Sequence, residues 1–271
     1  MRSPVIITPH PPTVSEYWQE MKAHAGLIAL FAGQELRTLY AQTYLGILWA
    51  IIRPVFTLAV FTIIFRLFLK VPTQSPYYLF AFAGMIAWNL FSQITITAST
   101  AIIQRQGLIR KMKFPKLVLP LSKILVALPE TAISLVILFA LLFFEKVHIG
   151  FNLFLLPVFI LLTIASAFAI AVWMNVLNIR FRDLNQILPT IVGIAVWVTP
   201  VFYPTTVIPP RYDFFVYLNP MAGIIKGYRY AILGEAFPEQ AYWWAIIFIL
   251  LVMLAGIWCF IKAEDKMVDY A

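Results

Sequence analysis

Glu130 is the one acid placed clearly inside a long apolar run, directly after Pro129. An ionisable group at bilayer depth pairs with a polar neighbour or lines a polar path. Both roles fit Glu130, whereas a proton-coupled carrier shows more groups of this kind. His10, His24 and His148 all fall outside the apolar runs, which leaves no buried imidazole relay. Cys259 is the single cysteine and sits in an apolar run, so no intrachain disulfide forms and the thiol reads as packing. Arg182 and Asp183 can make a local pair at a helix end, and Asp183 alone is not a site. No GxxxxGK(S/T), GxSxG, HExxH or CxxC pattern occurs. The chain therefore has no phosphate-binding loop of its own, and no metal site is read from it. The remaining chemistry-bearing group is a basic run, Gln104, Arg105, Arg110, Lys111 and Lys113, interleaved with Leu108, Ile109, Met112 and Phe114. Such a run either docks on an acidic partner surface or meets anionic headgroups.

The elements that must position these residues follow from composition. Of 271 residues, 62% are hydrophobic and 12% charged, and mean hydropathy is +0.87. So few charges do not cover the surface of a soluble chain of this length, which excludes a soluble enzyme, a disordered chain and a fibre. The net charge of +8 is held in short clusters between apolar runs, which fits membrane topology better than nucleic acid. A helix needs about 20 apolar residues to cross the hydrocarbon layer. Six spans are predicted, over residues 46–69, 78–103, 117–144, 153–177, 187–203 and 242–261. The second is mixed, because Gln93, Thr95, Thr97, Ser99 and Thr100 follow its apolar start. Lys and Arg divide 14 against 6 in favour of the side holding the N-terminal segment, residues 104–116, residues 178–185 and the C-terminal end. Both termini are thus placed in the cytoplasm.

The fold class is an all-α integral membrane protein, in four parts. Residues 1–14 contain Pro4, Pro9, Pro11 and Pro12 and read as a flexible tail with no cleavable signal peptide. Residues 15–45 form an amphipathic interface helix carrying Trp18, Arg37 and Tyr44; the bland alternative is an extension packed on nothing. Residues 46–263 are the six-helix transmembrane domain, and residues 264–271 a cytoplasmic tail. Within the domain, residues 204–241 are rich in proline yet apolar in stretches. They read as re-entrant half-helices forming an outer gate, or as an ordinary external loop.

Four stretches carry a resemblance. Residues 37–54, with Tyr44, Gly46, Trp49 and Pro54, resemble the entry to the first span of permease subunits of ABC polysaccharide exporters, the O-antigen, capsule and teichoic-acid type. Residues 108–120 resemble that family's first cytoplasmic loop, and Asn178 to Leu184 its second. Pro200, Tyr203 and Pro204, followed by Leu218-Asn219-Pro220-Met221, resemble its outer segment. Together they span nearly the whole chain, in register with six spans.

The resemblance implies a channel-forming transport subunit and not an enzyme. It implies a homodimer in the cell inner membrane with two copies of a separate ATPase, which holds ATP and Mg2+. The cargo implied is a polyprenyl-diphosphate-linked polysaccharide. Gln104, Arg105, Leu108, Ile109, Arg110, Lys111, Lys113 and Phe114 would dock the ATPase. The diphosphate needs cations, which Arg53 or the basic cytoplasmic cluster would supply, and Pro200, Pro204, Asn219 and Pro220 would shape the outer gate. A sugar chain has polar edges and apolar faces on which aromatic rings stack. Trp49, Phe56, Trp88, Trp197, Phe202 and Tyr203 are the candidates for lining a channel, against the alternative of lipid-facing belt or core. Competing functions are an ABC permease for another lipid or drug cargo, an intramembrane enzyme acting on polyprenyl lipids, and a gradient-driven carrier.

Overall fold

The computed structural model describes residues 14–41, 46–68, 72–147, 150–178, 181 and 183–269. Of the positions named above, the tail 1–13, Tyr44, His148 and Arg182 lie outside the described residues. The helices in chain order are α1 (Val14–Ala23), α2 (Ala25–Ala41), α3 (Trp49–Thr62), α4 (Tyr77–Ser99), the single turns α5 (Ala101–Gln104) and α6 (Gln106–Ile109), α7 (Val118–Phe144), α8 (Leu156–Asn178), α9 (Leu184–Val198), α10 (Asp213–Tyr217), α11 (Pro220–Leu233) and α12 (Gln240–Asp269). Among the described residues, five helical stretches are long and apolar enough to cross a membrane: Trp49–Arg66, Tyr77–Ser99, Val118–Phe144, Phe151–Asn178 and Gln240–Glu264.

α4, the mixed span of the sequence, is the hub. It packs on α3, α7, α8, α9 and α11 and buries Phe82, Met85, Ile86, Leu90 and Ile94. Of the polar residues near its end, Thr95 and Ser99 are buried in this core. Asn175 donates to the Ala98 carbonyl at 2.7 Å, and Asn178 donates to the Ser99 carbonyl at 3.0 Å. The end of α4 is thus tied to α8 through its backbone carbonyls, where small residues let two helices approach and bond. The helix ends at Ser99 rather than 103, because Thr100 leaves helical geometry (φ −103°, ψ 0°).

Three other boundaries differ from the sequence reading. The expected fifth span, 187–203, is α9, which stops at Val198. Thr199 precedes Pro200 and is extended (φ −84°, ψ 137°), since the proline ring crowds a helical residue before it. The expected tail 264–271 is still helix through Asp269, and Glu264 is buried. The expected single interface helix 15–45 is split at His24, whose backbone N–H is shared between the Glu20 and Met21 carbonyls. The break lets α1 turn Tyr17 and Met21 inward while α2 turns Phe31 and Ala32 inward.

The outer segment is folded rather than looped. Asn219 caps α11 by accepting from the Met221 N–H, Pro220 opens the helix, and Gly234 closes it in the left-handed region (φ 69°). α11 packs on α4, α8 and α12 through two glycines. A Cβ at Gly227 would stand 2.0 Å from the Phe159 ring, and one at Gly223 would stand 2.6 Å from the Tyr242 Cβ. Gly227→Ala is therefore expected to destabilise the folded chain by about 1–3 kcal/mol, the usual effect of overfilling a packed contact. Thermal unfolding in detergent beside the unaltered chain measures it.

Candidate functional site

Two polar features stand out. The first is a cleft of about 630 Å3 between α3, α4 and α7, lined by Trp49, Arg53, Phe56, Asn89, Ser92, Gln93 and Glu130, among others. Asn89, Ser92 and Gln93 are spaced i, i+3, i+4, which puts them on one face of α4. Pro54 lies inside α3 and Pro129 inside α7. Each proline lacks an N–H and frees a backbone carbonyl one turn back, so both helices are locally loosened beside the two charges. Neither Arg53 nor Glu130 joins an ion pair among the described residues. Arg53 instead lies 5.9 Å from the centre of the Trp49 ring. Tyr40, near the end of α2, senses both charges. Its phenol is pushed up, first by burial and then by the negative Glu130, with Arg53 opposing. The cleft therefore offers a cation, an anion, neutral hydrogen-bonding groups and two aromatic faces on one lining.

The second feature is the basic loop, residues 104–116, and it divides the predicted docking residues. Arg110, Lys111 and Lys113 are exposed, with Met112 between them. Phe114 is only 2% exposed and Ile109 is also buried; Phe114 packs on Phe31 with ring centres 5.9 Å apart. Leu108 is half-buried. Gln104 and Arg105 turn back to the chain: Lys123 donates to Gln104 at 3.0 Å, and Arg105 lies 4.9 Å from the Phe31 ring centre and donates to Gln34 at 3.5 Å. Phe114 and Ile109 thus form the floor of the loop, and the basic tip 110–113 stands free on it.

Both ends of this loop are held by buried charge. At the entry, Lys123 reaches the two Glu35 oxygens at 2.7 and 2.8 Å, fastening α7 to α2. At the exit, the Glu264 carboxylate accepts from Tyr17 at 2.5 Å and from the Lys116 backbone at 3.1 Å, and pairs with the Lys116 ammonium at 3.2 Å. Burial, and next the Glu264 charge, push the Tyr17 phenol up, so it remains a donor. Sequence reasoning singles out Gln104 but misses its partner and the other groups here. They lie between 19 and 247 residues apart, so no local spacing announces them. The cleft face at Asn89, Ser92 and Gln93 did leave a signal, its helical spacing.

The aromatic residues also divide. Trp49 and Phe56 line the cleft and are 40% and 68% exposed. Trp197 is exposed on α9. Trp88 and Phe202 are 6% and 4% exposed and belong to this chain's own core, Phe202 stacked on Phe61 at 3.7 Å. They do not reach a surface that a channel between two chains would use. Tyr203 is half-buried and donates to the Trp197 and Val198 carbonyls, each at 3.0 Å. On α11, Arg229 donates to the Val201 carbonyl at 2.7 Å and to the Phe80 carbonyl at 3.4 Å, with its guanidinium 3.4 Å from the centre of the Phe80 ring. Asn219 donates to Thr199 at 2.9 Å. Buried Pro200, with Pro204, Asn219 and Pro220, therefore sits in a segment tied to α4 and α11. Of the interface-helix residues, Trp18 and Arg37 are exposed.

Residues 27–233 match the family of ABC-2 type transporters. The chain belongs to the ABC-2 type transporter family. The match runs from the start of α2 to the end of α11 and so contains the cleft, the basic loop and the outer segment. This ABC-2 chain is a multi-pass membrane protein and a transport subunit. It is 26% identical to the O-antigen export system permease protein RfbA of Myxococcus xanthus, over 87% of this chain and 91% of that protein. A protein of the same name from Klebsiella pneumoniae is 25% identical, over 75% of this chain and 78% of that protein. The polysialic acid transport protein KpsM of Escherichia coli is 26% identical, over 88% of this chain and 93% of that protein.

Proposed function

We propose that this chain is the permease subunit of an ATP-driven exporter that moves a lipid-linked polysaccharide across the inner membrane. The observation that carries this reading is the end-to-end similarity to two kinds of polysaccharide permease, one named for O-antigen and one for polysialic acid. The geometry supports it. The cleft combines Arg53, suited to the diphosphate of a polyprenyl-linked glycan, with hydrogen-bonding groups for sugar hydroxyls and the Trp49 and Phe56 rings for sugar faces. The chain works as a homodimer: one copy leaves α3 and α9 largely uncovered, with Ile51, Val55, Phe56, Ile191, Ile194 and Trp197 exposed, and a second copy across them would frame a continuous conduit. Two copies of a separate ATPase, holding ATP and Mg2+, dock on the basic tip 110–113.

In this reading α9 is the fifth of six crossings. Its 15 residues rise about 22 Å, and the folded outer segment, with α10 and α11 as half-helices, makes up the remaining depth. Both termini then lie in the cytoplasm, as the Lys and Arg distribution requires. Single cysteines at Lys146 and Tyr212, in a Cys259→Ser background, are expected to react with an impermeant thiol reagent added outside; protection of both overturns the orientation. The function is tested by co-purifying the chain with an ATPase encoded beside glycosyltransferases and measuring hydrolysis. Stimulation by lipid-linked glycan is expected. Stimulation by a drug or simple lipid, and not by glycan, would assign another cargo.

A further inference from the structure

We propose that α12 is the rod by which movement of the docking loop reaches the outer gate helix α11, with Glu264 as the positioning residue that fastens loop to rod. The inference rests on the reading of residues 110–113 as the ATPase dock and goes beyond it.

At the cytoplasmic end, three segments distant in sequence meet at one carboxylate. Glu264 of α12 accepts from Tyr17 of α1 and from both nitrogens of Lys116. Lys116 follows Phe114-Pro115 at the exit of the docking loop. The Tyr17 oxygen in turn accepts from the Leu117 N–H at 3.3 Å. All three residues are buried, at 2%, 8% and 8% exposure for Tyr17, Lys116 and Glu264. Neutralising one member leaves buried donors facing no charge, so the knot favours a single arrangement.

From this knot α12 runs without interruption for 25 residues, Gln240–Glu264, about 37 Å. It contains no proline, so no ring interrupts its backbone hydrogen bonds. Midway it is keyed to α8: Trp173 donates to the Val252 carbonyl at 2.9 Å, and a Cβ at Gly256 would stand 2.8 Å from the Trp173 indole nitrogen. At its outer end Tyr242 is 1% exposed and lies against Gly223 of α11, with no room for even a methyl group between them. Lys226 of α11 also pairs with Glu239, just before α12 begins. One stiff element is thus fastened to the docking loop at one end and pressed against the outer half-helix at the other. Packed contacts of this kind shift between discrete arrangements rather than stretch.

The test uses the complete exporter in proteoliposomes, in a Cys259→Ser background, with Thr206→Cys as an outer reporter. Three quantities are read: ATPase retained on the chain, glycan moved per ATP hydrolysed, and ATP-dependent labelling at position 206. Glu264→Gln is expected to keep the ATPase bound and hydrolysing. Glycan moved per ATP should fall about tenfold, within the usual range of coupling between linked sites, and the ATP-dependence of labelling should vanish. Tyr17→Phe, which keeps the ring and the ion pair, should show a smaller loss of the same kind. Unchanged glycan per ATP and unchanged labelling in both variants would overturn the inference, whatever happens to thermal stability. So would loss of ATPase binding in Glu264→Gln, because Glu264 would then act on docking and not on transmission. If the unaltered chain fails to retain the ATPase, the docking reading itself falls, and the rod with it.

Discussion

Arg110→Glu combined with Lys111→Glu and Lys113→Glu is expected to abolish capture of the ATPase and all ATP-driven export while leaving the chain folded. The three side chains are exposed and make no ion pair among the described residues, so reversing them removes nothing from this chain's interior. A close charge pair at a protein interface contributes about 2–5 kcal/mol when one partner is lost. Loss of two such pairs already weakens docking by roughly a thousandfold or more. Co-purification from detergent measures the loss, and unchanged outside labelling at Tyr212→Cys shows that topology is intact. Phe114→Ala, four residues from Arg110, has a different basis. Phe114 is buried against Phe31, so its truncation acts as a core deletion of about 3–5 kcal/mol. It should appear first as a lowered unfolding temperature.

The second large effect is expected at Arg53. Arg53→Ala should cut export by about ten- to a hundredfold while the ATPase stays bound, because a hydrogen bond to a charged group contributes about 1.5–3 kcal/mol. Stimulation of hydrolysis by lipid-linked glycan should be lost to the same degree. Arg53→Lys should recover only part of it, since an ammonium lacks the planar fork that matches a phosphate. The side chain is exposed in one copy of the chain, so a fall in thermal stability equal to the fall in transport would argue that Arg53 is structural.

Hydropathy is a sum over 20 residues, so the long apolar helices were legible in the sequence to within a few residues. The ends were less so where a proline or a distant partner decides them. Thr199 turns extended because Pro200 follows it, which is local and readable. α12 continues through Glu264 because Tyr17 and Lys116 receive that carboxylate, which is neither. The cleft was half-legible. Arg53 and Glu130 stood out as charges near or within apolar runs, and Asn89, Ser92 and Gln93 share a helix face, but only packing brings α3 and α7 to that face. Aromatic residues carried the least information. Trp49 and Trp88 look alike in sequence, yet one lines the cleft and the other is core. In an apolar chain a ring is equally at home against lipid, cargo or another helix.

Reconstitution into sealed liposomes tests the central claim most directly, with the purified chain present alone or with its ATPase and with lipid-linked glycan supplied on the ATPase side. The account predicts that glycan crosses only when the ATPase, ATP and Mg2+ are all present. Movement of glycan by the chain alone, or its chemical alteration in the absence of the ATPase, would contradict it.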